Sequence, residues 1–155
     1  VVQDGERQLV EQISLVFESS GLSPVAGRII GRLLLCEPRE QSSAELSDYV
    51  GASKGSISTQ TQMLVAMGLV VRSRKPGSRA TWYAIRPHVW TDLLQLEIVR
   101  TQQLHALAEQ AIALKQSQGA GIDDRLREFR GFTEFFLERL PALIDEWRSI
   151  QDNDP

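Results

Sequence analysis

The run E-L-S-D-Y-V-G-A-S-K-G-S-I-S-T-Q-T-Q-M-L-V-A-M-G-L-V-V-R, residues 45–72, encodes two short helices joined by a tight turn. Just ahead of it, Ser42-Ser43-Ala44-Glu45 has the S-x-x-E spacing of a capping box, in which a hydroxyl and a carboxylate each satisfy a free amide at a helix start. Leu46 and Val50 then lie on one face, and Gly51 stands where a glycine in the left-handed conformation ends a helix. Ser53 offers a second N-cap, after which Ile57, Thr61, Leu64 and Met67 recur at helical spacing as far as Gly68. At about 100° per residue, Ile57, Thr61 and Leu64 turn inward while Ser56, Ser58, Thr59, Gln62 and Met63 face outward or flank. The exposed face is therefore one of hydroxyls and amides.

Beyond Gly68 the period changes from helical to alternating. Residues 69–74 and 80–85 are rich in strand formers, and Lys75-Pro76-Gly77-Ser78-Arg79 between them is a turn sequence, which predicts a two-stranded hairpin. Its tip and flanks carry Arg72, Arg74, Lys75 and Arg79. Between Asp48 and Asp92 there is no acidic residue, while Lys54, Arg72, Arg74, Lys75, Arg79 and Arg86 contribute six positive charges; with a net charge of -3 overall, the remainder carries -9. Such an asymmetry in an acidic chain is an electrostatic footprint for a polyanion, and double-stranded DNA is the leading candidate. The expected DNA-binding residues are Ser53 and Lys54 at the helix start, Ser56, Ser58, Thr59 and Gln62 on the outward face, and Arg72, Arg74, Lys75 and Arg79 in the wing. Hydroxyls and amides can bond base edges in the major groove, a helix N-terminus with a lysine meets a phosphate, and wing arginines enter a minor groove or clamp its phosphates.

The flanking sequence divides the chain into three parts. Residues 1–20 hold an N-terminal helix, roughly Asp4 to Ser19, with Leu9, Ile13, Val16 and Phe17 as its apolar stripe. Residues 21–86 form the DNA-binding lobe, whose first helix starts at Ser23-Pro24, runs to Glu37 ahead of Pro38, and buries Val25, Ile29, Ile30, Leu33 and Leu34. Gly27 and Gly31, four apart, make a groove for close helix approach. Residues 87–155 give two long helices, one of about thirty residues from Pro87 to a break at Gly119-Ala120-Gly121, the other from Asp123, with Pro141 expected to kink or interrupt it. One small domain offers too little surface to cover the apolar stripes of these helices, so a two-fold homodimer is expected. Its recognition helices would enter successive major grooves about 34 Å apart, on an imperfect inverted repeat. The fold class is thus mainly α with a small β-hairpin wing, a winged helix-turn-helix lobe plus long dimerisation helices.

Residues 45–72, with G-R-I-I-G-R-L-L-L-C-E-P at 27–38, resemble the MarR superfamily of winged helix-turn-helix transcription regulators. The nearest likeness is to the branch that includes GbsR-type regulators and a mycobacterial repressor of lipid and drug efflux pumps. The resemblance extends from about Gly21 to about Trp90. It implies dimeric operator binding, a recognition helix at Ser53 to Gly68, and repression of a transport or efflux operon relieved by an apolar or amphipathic small molecule. In that family ligands bind where the dimer helices meet the DNA-binding lobe, which makes Phe17, Arg28, Tyr83 and Trp90 candidate effector contacts, with Arg32 one turn beyond Arg28.

Other functions find little in the sequence. His88 and His105 stand apart, no His, Cys and Asp cluster has ligand spacing, and Gly55 and Gly77 fit no phosphate-loop pattern, so no enzyme, metal or cofactor is expected. The single Cys36 excludes a disulfide framework within one chain and, at the end of an apolar helix, is expected to be a small buried hydrophobe rather than a redox sensor. With no apolar run long enough to span a bilayer and no secretory signal, a cytoplasmic protein without a membrane partner is expected. The rival reading is a winged-helix module that binds protein instead of DNA. It requires an apolar patch on the outward face.

Overall fold

The computed structural model describes residues 2–119 and 121–152, so Ala120 of the expected glycine break lies outside the described residues. Its elements are α1 (Val2–Ser19), α2 (Pro24–Leu35), β1 (Gln41–Ser42), α3 (Ser43–Val50), α4 (Lys54–Ala66), β2 (Val70–Arg74), β3 (Thr81–Ile85), α5 (Val89–Ser117) and α6 (Asp124–Asp152). They divide into two compact units, Val1–Val89 and Trp90–Pro155.

In the first unit α1 packs on α2 and therefore sits with the lobe. The two glycines permit the approach: a Cβ on Gly27 would stand 2.6 Å from Ser14 Oγ and 2.8 Å from its Cα, and one on Gly31 would stand 3.2 Å from Val10 Cα. The buried face of α1 is consequently Val10 and Ser14, whereas Leu9 and Val16 of the expected stripe are exposed. Ser14 is tolerated there because its hydroxyl lies within bonding range of Glu18 Oε1 at 2.7 Å and Pro24 O at 3.1 Å. Helix α2 starts as expected, with Ser23 as N-cap and Pro24 in the first turn, but ends at Leu35, with Cys36 as its extended C-cap. Ile29, Ile30 and Leu33 are core, while Leu34 is exposed.

The sheet has three strands in the order β1-β3-β2, one more than the sequence pattern predicts. Strand β1 is two residues long and pairs antiparallel with β3, Gln41 opposite Tyr83 and Ser42 opposite Trp82. Two polar residues carry no readable period, and their burial is a tertiary effect. Each strand of hairpin β2–β3 starts one residue later than expected and ends where expected, with Val70 opposite Ile85 and Arg74 opposite Thr81.

The second unit is an antiparallel pair of 29-residue helices. Thr91 Oγ1 donates to Gln151 Oε1 at 3.2 Å near one end, and His105 meets Thr133 at 3.0 Å farther along. Buried positions fall on one stripe of each helix, Thr101, Ala108 and Ile112 on α5 and Thr133, Leu140 and Ile144 on α6. Pro141 does not interrupt α6. Its neighbour Leu140 and Ile144 one turn on are both buried, and this packing holds the helix across the hydrogen bond that proline cannot make. No helix among the described residues is long and apolar enough to cross a membrane.

Candidate nucleic-acid interface

Each end of the helix-turn-helix is fixed by local chemistry. Ser42 Oγ accepts from the Glu45 amide at 3.2 Å, and the Ser42 amide donates to Glu45 Oε2 at 2.7 Å, so the capping box is complete. That amide holds the Glu45 carboxyl below its usual range. Gly51 takes φ 70°, which lets its amide and that of Ala52 both reach Ser47 O at 3.0 and 3.3 Å. Ser53 caps α4 by accepting from the Ser56 amide at 3.2 Å. The pair is packed through Leu46, Ile57 and Leu64, all wholly buried, and Thr61, whose hydroxyl donates to Ile57 O at 2.8 Å. Met67, which continues the helical spacing of these residues, is the C-cap and is half exposed.

The outward face of α4 is polar, as the spacing predicts. Ser58, Thr59 and Gln62 are exposed and Ser56 is partly covered. Thr59 donates its hydroxyl to Gly55 O at 3.1 Å and Gln62 Nε2 donates to Ser58 Oγ at 3.3 Å. These bonds orient the side chains toward solvent while leaving acceptor lone pairs on Thr59 and amide capacity on Gln62. Gln60, on the opposite side, accepts from Ser23 Oγ at 2.7 Å and ties α4 to the start of α2.

Strand alternation gives the wing two faces. Arg72 and Tyr83 are register partners and both line a groove of about 730 Å³ against α4, with Lys54, Ser58, Gln62 and Arg79 also on its walls. Among the described residues no carboxylate lines this groove, and three of its residues, Lys54, Arg72 and Arg79, are cationic. The other face carries Ser73 and Trp82, which are also register partners. There Glu40 accepts from Ser73 Oγ at 2.9 Å and lies 3.3 Å from Lys75 Nζ, and that ammonium stands 3.4 Å from the centroid of the Trp82 ring. The Ser73 hydroxyl first and Lys75 second hold the exposed Glu40 carboxyl below its usual range. Of the four wing cations expected at DNA, Arg72, Arg74 and Arg79 are exposed, and Lys75 is engaged in this clasp on the far side of the sheet. Glu40 was invisible to sequence reasoning because it lies 35 residues upstream of its lysine and acts only through the pairing of β1 with β3.

The four candidate effector contacts lie on four different elements. Phe17 is half-buried on α1, and Tyr83 is buried in the sheet with its side chain on the α4 groove. Arg28 Nε donates to Glu11 Oε1 at 2.7 Å, a bond that raises the arginine pKa and occupies its guanidinium. Trp90, exposed at the start of α5, belongs to the second unit. Arg32 is also occupied, paired with Glu6, donating to Gln41 Oε1 at 3.2 Å and stacked 4.3 Å from the Tyr49 centroid. Cys36 is buried, and burial pushes its thiol pKa up, away from the thiolate that redox chemistry needs.

Comparison with known proteins gives three findings. The family model described as MmpR5-like MarR family transcriptional regulator matches residues 88–150, the span of the two long helices. The HTH-type transcriptional regulator MmpR5 of Mycobacterium tuberculosis is 36% identical over 123 residues, 79% of this chain and 74% of that protein. A crystal structure of a transcriptional regulator superposes with a TM-score of 0.73 at 30% identity, covering 94% of this chain and 99% of its own.

Proposed function

Because this chain belongs to the MarR family of transcriptional regulators, with MmpR5-like members as its relatives, we propose that it binds double-stranded DNA as a homodimer through the α4 groove and the front face of the wing. The single observation that carries the site assignment is the groove itself: hydroxyls and an amide of α4, with Lys54 at its start, face Arg72 and Arg79 of the wing across a concave surface on which, among the described residues, there is no carboxylate. Lys54 and the first-turn amides of α4 would hold a phosphate, and Ser58, Thr59 and Gln62 would read base edges. Arg72, Arg74 and Arg79 would meet the backbone or the minor groove. Ser53 and Ser56 act chiefly by starting the helix, since the hydroxyl of one accepts from the amide of the other.

The protein-binding rival calls for an apolar outward face. The exposed residues of α4 that line the groove include Ser58 and Gln62, which favours the DNA reading. Homodimerisation is supported by the apolar side chains left open on α5 and α6, among them Leu107, Phe132 and Phe135. Repression of a transport or efflux operon, relieved by an apolar or amphipathic effector, is the finest part of the proposal and rests on family likeness alone. An effector that uses Arg28 has to displace Glu11.

The test is binding of the purified chain to DNA from upstream of its own gene and to a scrambled sequence of equal length, titrated over salt. Selective, salt-sensitive binding is expected, with Gln62→Ala narrowing the preference for the native sequence. Equal affinity for both DNAs at every salt concentration would contradict the proposal.

A further inference from the structure

Three potential ligand side chains meet between α5 and α6, a juxtaposition that sequence spacing did not reveal because two lie on one helix and the third on the other. His105 and Glu109 are one turn apart on α5, Glu134 comes from α6, and one ligand atom from each lies within 4.8 Å of the others. The imidazole is oriented from behind. Thr133 Oγ1 donates its only proton to Arg130 O at 2.8 Å, so its 3.0 Å contact with His105 requires Nδ1–H to be the donor. In the neutral ring this fixes the tautomer and leaves the lone pair on Nε2, the arrangement by which a buried hydroxyl or carbonyl commonly sets up a metal-ligating histidine. Thr133 itself is fully buried, so the orientation is built into the helix pair.

The second observation concerns what now stands between the carboxylates. Arg130 Nε lies 3.8 Å from Glu109 Oε1 and 3.6 Å from Glu134 Oε1, both beyond hydrogen-bonding distance. The Nε atom itself is buried and, among the described residues, has no hydrogen-bond partner, while the Arg130 side chain as a whole is 36% exposed. A buried donor left unsatisfied between two acceptors marks a position whose present occupant fits poorly. The charge of the guanidinium offsets the carboxylates, but its geometry does not satisfy them.

We propose that His105, Glu109 and Glu134 bind a divalent transition-metal ion of the zinc class, which displaces the Arg130 side chain and pins α5 to α6. One imidazole and two carboxylates with a fourth position for water is a donor set suited to Zn²⁺ or Co²⁺. Ligand atoms around a tetrahedral ion stand about 3.3 Å apart, so the two exposed glutamates have to swing inward for the site to close on the ion. The site belongs to the second unit of the chain and the DNA-facing groove to the first, and its metal affinity is independent of any DNA reading.

The experiment is titration of the untagged, chelator-treated full chain with Co²⁺, followed by the visible ligand-field spectrum and by displacement with Zn²⁺. One saturable ion per chain is expected, with His105→Ala and Glu134→Gln each weakening binding by about tenfold or more, and Arg130→Met strengthening it because the competing cation is gone. Far-ultraviolet circular dichroism on each variant separates loss of a ligand from loss of the helices. Absence of saturable binding up to millimolar Co²⁺ would overturn the proposal. So would binding that persists unchanged in both His105→Ala and Glu134→Gln, or affinity that falls in Arg130→Met while helicity is retained.

Discussion

In the first unit Leu46, Ile57 and Leu64 are wholly buried, whereas along α5 and α6 Leu107, Leu114, Phe132 and Phe135 each keep more than half of their surface exposed. The helix-turn-helix closes its core with its own residues and turns hydroxyls, amides and cations to solvent. The long helices do the reverse: they use small and polar residues such as Thr101, Ala108 and Thr133 where they meet each other, and leave large aromatic and aliphatic side chains uncovered. One region is thereby complete as a fold and unfinished electrostatically. The other carries more acidic than basic side chains, pairs some of them locally, as in Arg100 with Glu97 and Arg127 with Asp124, and is unfinished in its apolar surface. The two deficits call for different partners, a polyanion for the first and a second apolar face for the second.

The contrast is open to direct perturbation. Leu64→Ala should cost about 3 kcal/mol, because the cavity forms in a core that cannot collapse, and a urea midpoint would register it. Phe132→Asp with Phe135→Asp should leave helicity intact while raising the dimer dissociation constant by about a hundredfold or more, as expected when two buried interface aromatics are lost; sedimentation over a range of concentrations reads this. A dimer of unchanged affinity would show that these faces are covered in some other way. Gly27→Ala should cost about 2 kcal/mol, since the added methyl meets not only the Ser14 hydroxyl but also the α1 backbone at Ser14, which cannot swing aside.

A smaller effect is expected at the α3 cap, where Ser42→Ala should remove about 1 kcal/mol. Glu45 adds a pH signature there. Its carboxyl is held below the unfolded value, so its contribution is complete above about pH 4.3 and is lost as pH falls through the lower folded value. The stability gap between Glu45→Gln and the parent chain should therefore shrink on acidification from about pH 5 to pH 3. A gap that widens would mean that the carboxylate form is not the one the cap prefers.

The finest comparison is within the wing. Arg79→Ala should reduce the slope of log affinity against log salt by about 0.9, the signature of one lost phosphate contact, while Lys75→Ala should change it by about zero. The reason is that Lys75 is already paired with Glu40 on the face away from the groove. Equal slopes for the two variants would show that the clasp opens on DNA and that both cations reach phosphates.

Much of this was legible in the chain because the helix-turn-helix is specified by short-range signals. The S-x-x-E box at Ser42, the glycine at 51 and the serine at 53 each act within four residues, and they sit in the structure as spaced in the sequence. The same holds for the hairpin, whose turn residues and alternation are local. What escaped was non-local or lacked a period: strand β1 is two polar residues, Glu40 reaches its partners only across the sheet, and the His105 cluster needs α6 folded back on α5. The N-terminal stripe misled because hydrophobicity marks a face without saying which neighbour covers it. The close approach at Gly27 and Gly31 puts Val10 and Ser14 against α2 and leaves Leu9 and Val16 outside.

The most direct test of the central claim is a hydroxyl-radical footprint of the protein on the DNA it selects from upstream of its own gene, run at moderate salt beside the Arg79→Ala variant. Two protected segments related by a two-fold axis, with centres about one helical turn or 34 Å apart, are predicted, and the flanking wing protections should fade in the variant. A single protected segment, or protection unaltered by loss of Arg79, would contradict a dimer that reads DNA with α4 and the front face of the wing.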